Sequence, residues 1–488
     1  MVPLYGEAVN NPEEDSAQSS TVRVMFALLL PLFASLMSIS SVMVALPAIT
    51  EGLGASDSDL QWVLTGYTLA FGVGLVPAGR AGDIWGRRRI FLAGVVIFGL
   101  SSLAAAFSPS PLLLNILRVV MGLGASMLVP QIIGMIQRLF TGSARGRAYG
   151  LMSTVIGLAV AVGPLIGGGL IDAADHPDSW RLVFLVNVPV VAAGLVFAAL
   201  WLPKPHDDGL TEAQSPAWVR QLARLDPVGA GLLAVAIVLV MLPFIQFADL
   251  VGVGLAVGGV LLLVVWVLWE KWLGDRDPEA PMVNVELFAL PSYTWNSAVL
   301  VLYFTGMPGI WAVVAIFIQQ GLGYGAFLAG LVTLPSAAMV VLLAAAVGKR
   351  VERLGPRLLV IGSVTAGLSM LMLAAAVWTI DAEYGSLWWV AAALGVNGLS
   401  QALIIPSAQT MSMQDVPDRM AGAAGGVAQS AQRVFTAMGL AVVTAIYFFF
   451  TSQGGHQAGM VASSLAIFTI MVASMIAAAV SARRAAAR

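Results

Sequence analysis

Apolar residues along this chain do not alternate with polar ones; they gather in long blocks separated by short polar stretches. A helix needs about 20 mainly apolar residues to cross roughly 30 Å of hydrocarbon. On that window the sequence holds fourteen blocks, near 24–46, 60–79, 90–107, 112–137, 148–171, 182–202, 228–248, 251–269, 294–319, 327–347, 358–378, 386–408, 421–450 and 460–481. Each predicts a membrane-spanning helix, and the chain reads as an all-α integral membrane protein. The polar, acidic residues 1–22 read as a disordered cytoplasmic tail. No cleavable signal is expected, because the first block is too long and lacks a basic leader and a small-residue cleavage site.

The charges between the blocks orient the helices, since cytoplasmic loops retain Lys and Arg. With the N-terminus inside, all but three of the 24 basic residues fall on one face, the exceptions being Arg181 on the other side and Arg118 and Arg433 within blocks. The opposite loops carry acids, among them Glu51, Asp57, Asp59, Asp172, Asp178 and Asp381. An even helix count with cytoplasmic N- and C-termini follows.

Composition then narrows the chemistry. With 59% hydrophobic and 10% charged residues, the chain is far from the roughly 25% charge of a soluble globule. It has no cysteine and three histidines, all in loops, so no metal site is expected. The net charge of -2 is segregated by membrane side, and nothing points to nucleic acid.

The basic turn Gly79-Arg80-Ala81-Gly82-Asp83-Ile84-Trp85-Gly86-Arg87-Arg88-Arg89 has a degenerate copy at Gly348-Lys349-Arg350-Val351-Glu352-Arg353-Leu354-Gly355-Pro356-Arg357. The alignment pairs Gly79 with Gly348, Asp83 with Glu352 and Gly86 with Gly355. One copy follows the second block and the other the tenth, so two six-helix bundles fit if blocks seven and eight are an insert. Parallel repeats of this kind place a substrate path between the halves. The expected domains are the tail 1–22, an N-terminal bundle 23–203, a linker and two inserted helices 204–292, a C-terminal bundle 293–482 and a cytoplasmic tail 483–488. The stretch 270–292 leads out of the insert, a helix lying on the membrane surface being one form for it.

At this point the motifs resemble the major facilitator superfamily, specifically its fourteen-helix drug:proton antiporters of multidrug efflux type. The 79–89 turn is similar to the loop motif between helices 2 and 3. Leu117-Arg118 with Gly122, Gly124 and Ala125 resembles the helix 4 motif, and Gly150 through Gly163-Pro164-Leu165-Ile166-Gly167-Gly168 the antiporter motif of helix 5. Gln61-Trp62 with Tyr67, Trp180-Arg181 with Asn187 and Pro189, and Gln320 with Gly323-Tyr324, Gly330 and Pro335 resemble further signatures. The resemblance implies the major facilitator fold, two six-helix bundles plus two inserted helices, in the plasma membrane. It implies a transporter rather than an enzyme, with no cofactor and the proton gradient as energy source. One departure stands out: Ser38 occupies the place where the family's helix 1 carries Asp, and Met43 replaces the usual Asn.

Several residues carry candidate roles. Asp83, with Gly79, Gly86, Arg87 and Arg88, reads as a latch whose carboxylate faces the positive end of a neighbouring helix, and Glu352 as its counterpart. An ordinary topogenic loop is the alternative. Arg118 lies at membrane depth, where a charge must face protein or water or snorkel out. Arg433 reads equally as an interhelix strut or a substrate contact. Asp83, Asp172 and Asp226 are the acids left to bind protons. Ser38, Ser41, Gln61, Trp62, Tyr67, Asn397, Gln401 and Gln429 are expected in a cavity or as helix-to-helix contacts. Gly163, Pro164, Gly167 and Gly168 form a close-packing hinge. The expected function is export of an amphipathic drug, dye or metabolite by alternating access and proton antiport. The alternative is export or flipping of a lipid-like or neutral substrate with weak or no proton coupling. Small substrate, membrane lipids and protons are the expected partners, and the chain is expected to act as a monomer.

Overall fold

The computed structural model describes residues 12–174, 176–203, 226–246, 250–277, 280–283, 285–324, 326–381, 386–417 and 420–486. Among them the regular structure is entirely helical: α1 Pro12–Leu53, α2 Asp57–Trp85, α3 Arg87–Ala106, α4 Pro111–Ser126, α5 Val129–Leu139, α6 Gly142–Ala174, α7 Trp180–Leu185, α8 Asn187–Trp201, α9 Pro227–Gln246, α10 Leu250–Arg276, α11 Pro291–Ile316, α12 Ala326–Gly348, α13 Val351–Asp381, α14 Leu387–Ser412 and α15 Ala421–Ala486.

The breaks follow backbone chemistry. Proline has no N–H and its ring clashes with the carbonyl four residues back. Thus the 112–137 block divides into α4 and α5 ahead of Pro130, and the 182–202 block into α7 and α8 ahead of Pro189. α15 is two helices joined across a kink at Gly454 and Gly455, the latter at φ 78°, a conformation open to glycine. Among the described residues twelve helical spans are long and apolar enough to cross a membrane, with α4–α5, α7–α8 and α15 each counted once, and a shorter apolar helix runs Pro227–Pro243.

Some boundaries differ from the expected ones. α1 begins at Pro12, inside the stretch read as a tail; proline suits the first position of a helix, where no N–H is needed. α10 continues to Arg276, and among the described residues after it the 3₁₀ turn Val285–Ala289 stands where a surface helix was one expected form. The expected linker lies mostly at 204–225, outside the described residues.

Two apolar cores form, one built on Phe91, Phe98, Leu128 and Trp180, the other on Tyr303, Phe317, Met370 and Tyr447. The bundles meet along two seams, α2 against α15 and α6 against α12. α9 lies across the first seam, in contact with both α2 and α15, whereas α10 turns Val253, Val257, Leu261, Val264 and Leu268 outward.

Candidate functional site

Both seams are tightest at the end where the basic residues cluster. Gly79 packs its backbone on the Gly422 carbonyl, and Gly348 packs on the Gly146 carbonyl. Gly426 faces Leu75 and Val76, and Gly150 faces Ala344 in the same way. Only a residue without Cβ allows such contact; a Cβ on Gly150 would lie 2.5 Å from the Ala344 oxygen. At the other ends of α6 and α12, Gly169 and Gly330 have nothing within 4 Å of an added Cβ. The bundles are therefore closed at the basic face and parted at the acidic one. The aligned glycines Gly79 and Gly348 do the same thing in the two halves.

Asp83 ties the first seam. α2 runs on to Trp85, so this carboxylate sits inside a helix rather than at the start of a loop; the turn itself is Gly86 alone, at φ 95°. Its Oδ2 accepts a hydrogen bond of 3.0 Å from the Ala423 N–H. Ala423 is the third residue of α15, where N–H groups lack helical partners and the helix dipole is positive. Its Oδ1 accepts from Arg87 Nε at 3.3 Å and Nη2 at 3.1 Å, and Arg87 Nη1 also donates to the Gly134 carbonyl. Arg88 turns away, its Nη2 donating to the Ala199 carbonyl at 2.7 Å; adjacent helical residues point about 100° apart, given 3.6 residues per turn. Glu352 is exposed beside Gly142, where α6 begins, so it repeats the placement of Asp83 in the other seam.

Deeper along α2, a column of rings and guanidinium groups joins the bundles. The Arg118 guanidinium lies 4.4 Å from the Tyr67 ring centroid. Tyr67 stacks on Phe71 at 6.2 Å and 7° between planes, and Arg433 of the second bundle caps Phe71 at 4.8 Å. Arg118 is fully buried; Nε donates to the Val63 carbonyl at 2.8 Å and Nη1 to Ser38 Oγ at 3.3 Å, while Nη2 has no partner. Tyr67 donates its hydroxyl to the Ser35 carbonyl at 2.9 Å. Among the described residues, no carboxylate bonds Arg118 or Arg433.

Two bundles in one chain, a glycine-lined seam at each side and a repeated basic turn form the frame of a two-part transporter. The family model of the Major Facilitator Superfamily matches residues 28–440. The chain belongs to the Major Facilitator Superfamily. It is similar to the probable actinorhodin transporter of Streptomyces coelicolor, 32% identical over 412 residues, covering 83% of this chain and 68% of that one. The puromycin resistance protein pur8 of Streptomyces alboniger is 31% identical, covering 89% and 84% of the two chains. Among solved structures, the human organic anion transporter MFSD10 superposes with a TM-score of 0.64 over 94% of this chain and 99% of that one at 15% identity. The proton:xylose symporter XylE gives 0.62 over 94% and 95% at 14% identity, and both likenesses concern the fold. The chain is a multi-pass transporter of the cell membrane, not an enzyme, and its relatives export antibiotics and other drugs.

In this facilitator the remaining expected residues are distributed unevenly. Gly163 and Gly167 admit Ser40 and Ser41 of α1 against α6, Gly168 faces Val44, and α6 continues as a helix through Pro164. Ser41 Oγ is buried without a partner. Trp62 is exposed, whereas Gln429 is buried in α15. Asn397 donates from Nδ2 to Met307 Sδ at 2.8 Å, joining helices of one bundle, and Gln401 beyond it is half-buried. The side chains of Gln61 and Asp172 lie outside the described positions. A recess of about 410 Å³ is lined by Tyr324, Leu328, Ile380 and Trp388, and touches none of the expected cavity residues.

Several contributors were not singled out from sequence. Ser430 donates to the Gly72 carbonyl at 3.1 Å and Gln137 to the Met413 carbonyl at 2.6 Å, each crossing between bundles. The four-residue spacing of Gly146 and Gly150 was the available signal for their seam. Glu270, inside α10, is buried near Asp226, the residue before α9; a Cβ on Gly229 would be 2.9 Å from Glu270 Oε1 and would also strike Asp226 Oδ2. Asp226 accepts from Trp269 Nε1 at 3.1 Å and Glu270 accepts from the Val283 N–H at 3.1 Å. Acids at a helix end and inside the next helix gave no local pattern for that proximity.

Proposed function

We propose that this facilitator exports amphipathic small molecules, as drugs, dyes or metabolites, by alternating access in exchange for protons. It does so as a monomer with fourteen crossings and both termini in the cytoplasm. The count takes α15 as two crossings and α9 as one, and basic loops face inward. The basic-side seam is then the cytoplasmic gate, and the structure is the state open to the outside.

The observation that carries the reading is the Asp83–Ala423 hydrogen bond. It joins the two bundles through a single carboxylate, which is the kind of contact that protonation can release. A neutral carboxyl loses its attraction to Arg87 and to the helix terminus, weakening the closed gate. Rocking then opens the cytoplasmic side to substrate, and return of the proton to the cytoplasm restores the latch. Asp226 with Glu270 and Asp172 are further proton-binding candidates; the first two are buried at the ends of the inserted helices. An uncoupled lipid or neutral-substrate exporter drew its support from the absence of helix acids, and the placing of Asp83 and Glu270 within helices weakens that argument.

Reconstituted vesicles test it. Efflux of an amphipathic dye should rise with an imposed pH gradient and acidify the compartment that loses dye. Equal efflux after the gradient is collapsed would remove the antiport assignment.

A further inference from the structure

The segment 413–420, which joins α14 to α15, is gripped at both ends by the first bundle. At its far end Asp83 accepts the Ala423 N–H in the first turn of α15. At its near end Gln137, on the last turn of α5, donates from Nε2 to the Met413 carbonyl at 2.6 Å. Met413 caps the C-terminus of α14, and its carbonyl also receives the Val416 N–H at 3.3 Å. Gln137 is 3% exposed, so the amide meets its acceptor away from water.

The two grips are chemically complementary. A helix starts with N–H groups that lack partners and ends with carbonyls that lack them, the dipole being positive at the first and negative at the second. A carboxylate, which accepts, sits at the start of α15; an amide nitrogen, which donates, sits at the end of α14. Arg145 of α6 braces the amide, its Nη2 donating to the Gln137 carbonyl at 2.7 Å and its Nε to the Phe140 carbonyl at 2.8 Å. The next residue, Gly146, is the one on which Gly348 packs, so the brace belongs to the helix of the second seam. The grips differ in one property: a carboxylate can take up a proton, and an amide stays neutral.

We infer that Gln137 is a second latch of the basic-side gate, one that protons do not release. The inference rests on the alternating-access reading and adds to it a residue that limits how far protonation alone opens the gate. When Asp83 takes up a proton, the α15 end of the connector is freed and the α14 end stays held. The surrounding charges have other partners: Arg145 of α6 and Arg87 of α3 bond carbonyls of α5, and Asp83 of α2 bonds α15. Arg138 follows Gln137 on its own helix, Asp415 lies on the connector, and Glu352 of α13 lies beside Gly142.

The chain has no cysteine, so Ser143→Cys on α6 and Arg353→Cys on α13, both exposed at the basic face, place a unique pair of spin labels across the bundles. Dipolar distances in the full chain in lipid discs then give the closed and open populations between about pH 8 and about pH 5. Gln137→Leu removes one neutral hydrogen bond and should shift the balance toward open about two- to tenfold at every pH, while the pH dependence set by Asp83 is kept. Asp83→Asn should instead flatten that dependence. In Asp83→Asn combined with Gln137→Glu the closed population should rise as pH falls, because only the protonated acid can donate to the Met413 carbonyl. Gln137→Met, unbranched and of similar length, repeats the first measurement if the leucine variant does not fold. Wild-type populations or a flattened pH dependence in Gln137→Leu overturn the latch, as does a combined variant that ignores pH. The expected shifts in a chain whose dye efflux ignores an imposed pH gradient would retain the latch and remove the antiport reading.

Discussion

The Asp83 carboxylate accepts a backbone hydrogen bond from Ala423, 340 positions further along the chain, at 3.0 Å. Its other oxygen faces Arg87 of its own bundle. One side chain thus connects the turn that marks the basic face to the first turn of a helix in the other half.

Substituting this carboxylate should change which side of the transporter is open. Hydrogen bonds to charged groups contribute about 1.5–3 kcal/mol, roughly ten- to a hundredfold in the balance between gate states at 1.4 kcal/mol per tenfold. Asp83→Asn should leave folding intact, expose the cytoplasmic seam to labelling and strongly lower transport. Flux near that of the wild type would take Asp83 out of the mechanism.

Arg87 and Arg88 should separate cleanly. Arg87→Ala removes the partner of Asp83 and should resemble Asp83→Asn, with the double variant no worse than the more severe single one. Arg88→Ala loses a bond within one bundle and should cost about 1 kcal/mol of stability while transport per folded molecule is retained. The comparison is made by detergent melting alongside vesicle flux.

The glycine seam offers a steric test. Gly348→Val would drive two methyl groups into the Gly146 backbone, and overpacking of this kind costs typically about 1–3 kcal/mol. The closed gate should be disfavoured and transport reduced. Gly330→Ala, at the open end of the same helix, should be neutral in both flux and melting. Equal damage at both positions would contradict the description of where the bundles touch.

At the acidic face, Ser56 and Asp59 form a capping box at the start of α2. Bonds from the Ser56 hydroxyl and N–H hold the Asp59 carboxyl below its ordinary 3.8. A depressed folded value means that this group's stabilisation is fully present above pH 3.8 and is lost as pH falls through the lower, folded value. The protection factors of the amides in the first turn of α2 should therefore fall below about pH 4 in the wild type. Ser56→Ala should show fast exchange already at pH 7.

Much of this architecture was legible because its signals are local. Apolar length marks the helices, and the copied Gly-x-x-x-Asp/Glu pattern marks the repeat; Gly79 and Gly348, aligned by sequence, make equivalent backbone contacts. What was hidden depended on neighbours remote in sequence. Arg88 shares the basic turn with Arg87, but a helix sends adjacent side chains in different directions, and only the packing shows which meets Asp83. Phe71 is an ordinary membrane phenylalanine until Arg433 lies over it. Helix ends were misjudged because a hydropathy window stops at the hydrocarbon edge while backbone hydrogen bonding continues; this moved Asp83 and Glu270 inside helices. Pro130 and Pro189 divided two blocks that hydropathy alone reads as continuous.

Among the described residues α9 packs on α2 and α15 of the first seam, and no comparable packing on α6 or α12 is seen. A compound dissolved in the bilayer would meet two unlike flanks: a crevice shuttered by α9, and one bordered directly by α6 and α12. The two seams thereby differ in cover, an asymmetry that the repeat itself lacks. α9 is in this respect a fender over one seam, and among the described residues the other seam has no equivalent cover.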